Sequence, residues 1–182
     1  MRVISGIARN TKLTALQGED VTRPTIERVK EGMFSAVQFM LSGAKVLDLC
    51  AGSGQLGIEA LSRGAEKCVF IDQNRDAIAV IGQNLKAAGL FGSASVAQIS
   101  AEGYLAACRE TFDLILCDPP YRQNAAATLL PLIAKVAAPG ANILFEAEAH
   151  ADLPEKCENL TLQKQYQYGA IIVGRYENTV EF

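Results

Sequence analysis

Asp118-Pro119-Pro120-Tyr121 is the stretch of this 182-residue chain whose groups could do chemistry together. A carboxylate accepts hydrogen bonds only, and a proline carries a carbonyl with no N–H beside it. Asp118 and the Pro119 carbonyl can therefore receive both hydrogens of one planar NH₂ group. A nucleobase exocyclic amine is such a group. Tyr121 offers an aromatic face for the base, a contact worth roughly 1–3 kcal/mol per base in nucleic-acid sites. Two fixed acceptors would turn the nitrogen lone pair toward an electrophile. The same four residues also read as a Pro-Pro turn that ends a strand, with Tyr121 as a packing residue. Position decides between the two. The tetrad follows the apolar run Phe112 to Cys117, which reads as a buried parallel strand, and ligands bind at that edge of open α/β sheets.

A second group lies upstream, where Asp48-Leu49-Cys50-Ala51-Gly52-Ser53-Gly54-Gln55-Leu56-Gly57 joins a predicted strand to a predicted helix. Gly52 to Gly57 is a G-x-G-x-x-G, and Asp72 ends the next strand twenty residues past Gly52. This is the fingerprint of a nucleotide-like cofactor whose ribose is held by a carboxylate. NAD and S-adenosylmethionine both fit the glycines. Asp48 favours the second, because a carboxylate there repels a pyrophosphate but can bind an amino group, directly or through water. The single histidine, His150, falls in a polar stretch and reads as a surface residue, so no hydride-transfer partner is apparent.

The elements that must position these groups alternate along the chain. Strand-like runs at Val46 to Cys50, Cys68 to Asp72, Ala94 to Ile99, Phe112 to Cys117 and Asn142 to Glu146 are separated by helical patterns near Gln55 to Arg63, Asn74 to Ala88, Glu102 to Arg109 and Ala125 to Ala137. Such alternation predicts an α/β fold with a doubly wound, mostly parallel Rossmann-like sheet and helices on both faces. Leu160 to Tyr168 and Ala170 to Tyr176, meeting at Gly169, read as a closing pair that brings the sheet to seven strands. Ahead of it, residues 1–20 alternate weakly as a small hairpin. Thr25 is placed to cap a helix with Ile26, Val29, Met33, Phe34, Val37 and Met40 on one stripe. The expected division is an N-terminal hairpin and helix extension over 1–42 and a cofactor-binding domain over 43–182.

Composition narrows the class. Apolar residues at 49% and charged residues at 20% suit a soluble globular chain of about one domain, with no run of eighteen apolar residues. The start is too short in apolar residues for a signal peptide, and a cytoplasmic location is expected. Five cysteines without a C-x-x-C pair point to reduced thiols and to no metal site. A net charge of −3 argues against bulk attraction to nucleic acid. Residues 1–30 nevertheless carry Arg2, Arg9, Lys12, Arg23, Arg28 and Lys30 against Glu19, Asp20 and Glu27, which reads either as a local phosphate grip or as an ordinary solvated face.

With these residues in hand, the chain resembles the Rossmann-fold S-adenosylmethionine-dependent methyltransferases that carry a [DN]-P-P-[FYW] motif. More closely, it is similar to the bacterial small-subunit (16S) ribosomal RNA guanine-N2 methyltransferases, the RsmD family. The resemblance runs from Met1-Arg2-Val3-Ile4-Ser5-Gly6 through Arg23-Pro24-Thr25, Arg28-Val29-Lys30-Glu31, Asp48 to Gly57 and Glu59 to Ala65, and on to Asp118 to Tyr121. It implies that Asp118, Pro119, Pro120 and Tyr121 handle the target amine. Asp48, Ala51, Gly52, Ser53, Gly54, Asp72, Gln73, Ser100 and Ala101 are implied around the cofactor, with Asp48, Gly52 and Gly54 at its methionine part and Asp72 at the ribose. Ser100 stands where the family usually has an Asp near the adenine amino group, and Glu102 is an alternative acceptor. Ribosomal RNA or the small ribosomal subunit is the implied partner of a monomer, with Arg9, Lys12, Arg23, Thr25, Arg28 and Arg122 as candidate RNA contacts. A DNA adenine-N6 methyltransferase, a non-catalytic RNA-binding or assembly factor and an NAD-dependent oxidoreductase are the alternatives. A nucleobase in a helix cannot reach such a pocket, so an extruded or loop nucleotide is the expected target.

Overall fold

In a computed structural model, which describes residues 1–16, 23–120 and 124–180, the five apolar core runs become parallel strands. They are β1 (Lys45–Leu49), β2 (Lys67–Asp72), β3 (Ala94–Gln98), β4 (Phe112–Cys117) and β5 (Ala137–Glu148). A short β6 (Lys156–Cys157) and the pair β7 (Leu160–Tyr168) and β8 (Ile171–Asn178) complete one sheet of eight strands in the order β3-β2-β1-β4-β5-β8-β7-β6. β8 runs antiparallel to both β5 and β7. The count exceeds the expected seven because β6, two residues paired to the start of β7, is too short to leave a pattern in the sequence. The closing pair turns at Gly169, whose φ of 63° is the left-handed conformation glycine adopts most readily.

Among the described residues, five α-helices connect and cover the strands: α1 (Arg23–Val37), α2 (Gln55–Ser62), α3 (Arg75–Ala87), α4 (Ala101–Ala107) and α5 (Ala125–Ile133). Side chains alternate across each strand, which makes two cores. Val46, Cys68, Phe70, Leu114, Leu116 and Leu144 pack under α1, α2 and α3 on one face. Leu47, Ile71, Ile115, Cys117, Ile143 and Phe145 pack under α4 and α5 on the other.

Several expected boundaries shift: α1 begins at Arg23, so Thr25 lies within it and not at its cap, and α5 ends at Ile133. β5 begins at Ala137, five residues before Asn142, because Pro139-Gly140 does not end the strand. Phe112 pairs with Ala137 and Leu114 with Asn142, so the extra residues bulge out, with Gly140 at φ 74°. Cys50 falls outside β1, in the loop that follows, at φ 57°. The N-terminal hairpin is reduced to one antiparallel bridge, Arg2 to Lys12.

That N-terminal segment is held by buried charge. Glu59, on α2 and fully buried, accepts the amides of Ile4 at 2.8 Å and Ser5 at 3.0 Å, meets Arg63 Nε at 2.8 Å and faces Lys30 Nζ at 3.3 Å. Lys30 Nζ also donates to the Arg2 carbonyl at 2.7 Å. Lys30 is 1% exposed and Arg2 pairs with Glu27, so two of the six bases counted toward a basic surface are committed within the fold.

Candidate active site

The strand ends and the loop after β1 converge on one edge of the sheet. Asp48 sits in β1, Asp72 at the end of β2 and Asp118 just past β4. Alternation sets all three on the face that carries α1, α2 and α3, because Val46, Phe70 and Leu116 two residues earlier lie in that core. The loop between β1 and α2 is built around their carboxylates. Asp48 Oδ2 accepts the Gly57 amide at 2.8 Å and pins the first turn of α2. Asp72 Oδ2 accepts the Gly52 amide at 2.9 Å, and its Oδ1 accepts the Asn74 amide at 2.8 Å.

Glycine is required at two places in this loop. Gly54, the residue before α2, has φ 75°, and a Cβ there would crowd Ile81 at 3.1 Å. Gly57 lets α2 close on β2, since a Cβ would fall 2.3 Å from the Phe70 ring and 2.7 Å from Cys68 Sγ. The buried Ser53 carbonyl accepts from Asn84 of α3 at 2.9 Å, and Ala51 donates to the Ile71 carbonyl at 3.0 Å. The loop is thus fixed on both sides before any ligand arrives.

This edge of the sheet is acidic. Asp48 is fully buried, and burial drives its carboxyl well above the usual carboxylate range; the Gly57 amide opposes this, while Asp118 and Asp72 reinforce it. Cys50, half-buried in the same loop, has its thiol pushed up to about 12, first by burial and then by the charges of Asp72, Asp118, Glu102 and Asp48. No group of three or more side chains among the described residues is arranged to hold a metal ion.

Gln73 is exposed, Ala101 is buried as the first residue of α4, and Ser100 caps that helix by accepting the Gly103 amide at 3.1 Å. The Asp118 carboxylate is half-buried, Pro119 buried and Pro120 exposed. Arg9, Lys12 and Arg28 are all exposed. Tyr121 and Arg122, and the side chains of Arg23 and Thr25, lie outside the described residues.

Two residues at the site carried no signal in the motifs. Gln55 begins α2, and its Oε1 is buried with no hydrogen-bond partner among the described residues. Glu146 stands at the C-terminal end of β5; burial first, and the Asp118 charge second, push its carboxyl from 4.5 up to about 8. Beside it opens a cavity of 530 Å³ whose lining includes Pro120, Asn124, Phe145, Glu146 and His150.

Residues 1–177 match the family described as Conserved hypothetical protein 95. The chain belongs to this family. Among its relatives are the proteins named ribosomal RNA small subunit methyltransferase D of Haemophilus influenzae, 32% identical over 98% of this chain and 94% of that one, and of Escherichia coli K12, 30% identical over 100% and 91%. YlbH of Bacillus subtilis, provisionally assigned as an rRNA methyltransferase, is 41% identical over 97% of this chain and 98% of its own. Among solved structures, the Escherichia coli protein yhhF, provisionally assigned as a methyltransferase, superposes with a TM-score of 0.86 at 29% identity and covers 100% of this chain and 99% of its own. The RsmD resemblance read from the N-terminal segment, the glycine loop and the tetrad is therefore correct. So is the Rossmann-like methyltransferase fold, with the eighth strand as its one amendment. Within the Conserved hypothetical protein 95 family, the acidic edge between Asp48 and Glu146 is the site whose chemistry has to be explained.

Proposed function

We propose that this chain is an S-adenosylmethionine-dependent methyltransferase that modifies the exocyclic N2 amine of a guanine in small-subunit ribosomal RNA. The observation that carries the proposal is the gathering of Asp48, Asp72 and Asp118 on one face at the C-terminal ends of three neighbouring strands, around a glycine loop already fixed by two of them. S-adenosylmethionine brings a sulfonium-bound methyl that passes to the amine nitrogen as the carbon–sulfur bond breaks, its electron pair staying on sulfur in S-adenosylhomocysteine.

An acidic sheet edge suits that group. It bears an ammonium and a sulfonium, and nearby carboxylates attract both. Gln55 Oε1 is a buried acceptor without a partner among the described residues, available at the same loop. Asp72 spends one lone pair per oxygen on the Gly52 and Asn74 amides, which leaves acceptor capacity for ribose hydroxyls. The Ser100 oxygen is engaged in capping α4, so Glu102, next to it and exposed, is the better acceptor for the adenine amine.

At the target, Asp118 and the Pro119 carbonyl receive the two amine hydrogens. A guanine N2 is a poor nucleophile because its lone pair is conjugated with the ring. The two acceptors hold the nitrogen with its lone pair facing the methyl carbon and stabilise the positive charge that develops on it. The extra proton then leaves to solvent. Arg9, Lys12 and Arg28, all exposed, are RNA-contact candidates on the 1–42 extension.

The names of the relatives support ribosomal RNA as substrate. A methyltransferase-fold neighbour, 16% identical with a TM-score of 0.67, was solved with S-adenosylhomocysteine. The test is transfer of labelled methyl from S-adenosylmethionine to small subunits lacking native modifications, with free ribosomal RNA and genomic DNA alongside, followed by nucleoside analysis. N2-methylguanosine from the ribosomal samples is expected. N6-methyladenine from DNA, or no transfer despite cofactor binding, would contradict the proposal.

A further inference from the structure

The tetrad reads an NH₂ group and says nothing about which base carries it. The neighbouring strand supplies what is missing. β4 and β5 are parallel, and Cys117 pairs with Phe145, so Asp118, just past β4, and Glu146 on β5 each follow that last pair at the same edge of the sheet. Leu116 and Leu144 belong to the core under α1, α2 and α3, whereas Cys117 and Phe145 belong to the other; Asp118 and Glu146 therefore turn toward the same face. The cavity that borders Pro120 is also bordered by Glu146 and Phe145.

We infer that Glu146 reads the target guanine beside its amine: its carboxyl pairs with N1–H and O6 while Asp118 and the Pro119 carbonyl hold N2. The inference rests on the guanine-N2 reading proposed above. Along the Watson–Crick edge of guanine the groups run amine, N1–H donor, O6 acceptor, and flipped bases are read on that edge. A neutral carboxyl presents one acceptor and one donor side by side, which matches the last two in order. Adenine, its amine in the same place, offers N1 as an acceptor and then a C–H, so it keeps one of the two bonds.

The surroundings hold Glu146 in the neutral form. Asp118, just past β4, acts on it as a like charge, and β8 places Val173 directly opposite, with Arg175 two pairs further from the edge, opposite Leu144. From the loop after β5, His150 and Asp152 border the same cavity, as does Glu148 on β5 itself. Burial and the Asp118 charge keep the proton on Glu146 up to about pH 8.

The test compares wild type, E146Q and E146L on undermodified small subunits, with kcat/KM measured across pH and products identified as nucleosides. E146L loses about a hundredfold, the scale of two hydrogen bonds to a buried base edge. E146Q, which keeps a donor and an acceptor at every pH, loses no more than about tenfold at neutral pH. Wild-type activity falls as the pH rises through about 8, and E146Q shows no such fall. Wild-type activity from E146L, or the same fall in E146Q, overturns the inference. Should E146L not fold, as judged by melting and cofactor binding, the E146Q profile decides alone. A wild type that makes no N2-methylguanosine fails the proposed function itself, whereas wild-type N2-methylguanosine with an indifferent Glu146 fails only this assignment.

Discussion

The Oδ2 of Asp72 accepts the Gly52 amide at 2.9 Å, so the carboxylate at the end of β2 fixes the loop at the end of β1. In the proposed enzyme one residue both shapes the glycine loop and faces the ribose. Replacing Asp72 by Ala is predicted to weaken S-adenosylmethionine binding by about ten- to a hundredfold, the range for losing hydrogen bonds to a charged acceptor. Calorimetric titration measures it directly. An unchanged Kd would show that the ribose is held elsewhere.

Glu59 should behave as a structural charge remote from chemistry. Its side chain is fully buried and serves the Ile4 and Ser5 amides, Lys30 and Arg63 at once. Removing one member of a buried charged cluster costs roughly 3–5 kcal/mol, chiefly because the others are left uncompensated. E59A is predicted to lose that much stability in urea unfolding. A change below about 1 kcal/mol would mean that Lys30 and the two amides find other partners.

How much of this the sequence disclosed depends on the range of each contact. The βα alternation, the Gly52 to Gly57 loop, Asp72 and the tetrad were legible because each is a local pattern with a local physical cause. Glu146 was not, because its meaning lies in the register between β4 and β5, which no spacing along the chain reveals. Lys30, buried against Glu59, was misleading for a related reason. Charges in an N-terminal segment read as a solvated face until tertiary contact buries them together. The run expected from Asn142 starts at Ala137, because β5 continues through Pro139-Gly140 as a bulge.

A stability measurement tests the environment of Glu146 apart from catalysis. A carboxyl raised from 4.5 in the unfolded chain to about 8 in the folded one binds its proton more tightly when folded. Stability is therefore fully present at low pH and is lost as the pH rises between those two values, on the order of a few kcal/mol. E146Q has no proton to lose there. From about pH 5 to about 8 the wild type should lose stability relative to E146Q. Parallel curves for the two proteins would place Glu146 in water.

The most direct test of the central claim is single-turnover methyl transfer by wild type and D118A, with cofactor affinity measured on the same preparations. Asp118 is assigned to the amine, so D118A should slow transfer about 10²–10³-fold, the scale for removing one preorganised partner of developing charge, with S-adenosylmethionine bound within about threefold of wild type. Undiminished transfer by a D118A protein that binds cofactor normally would contradict the account.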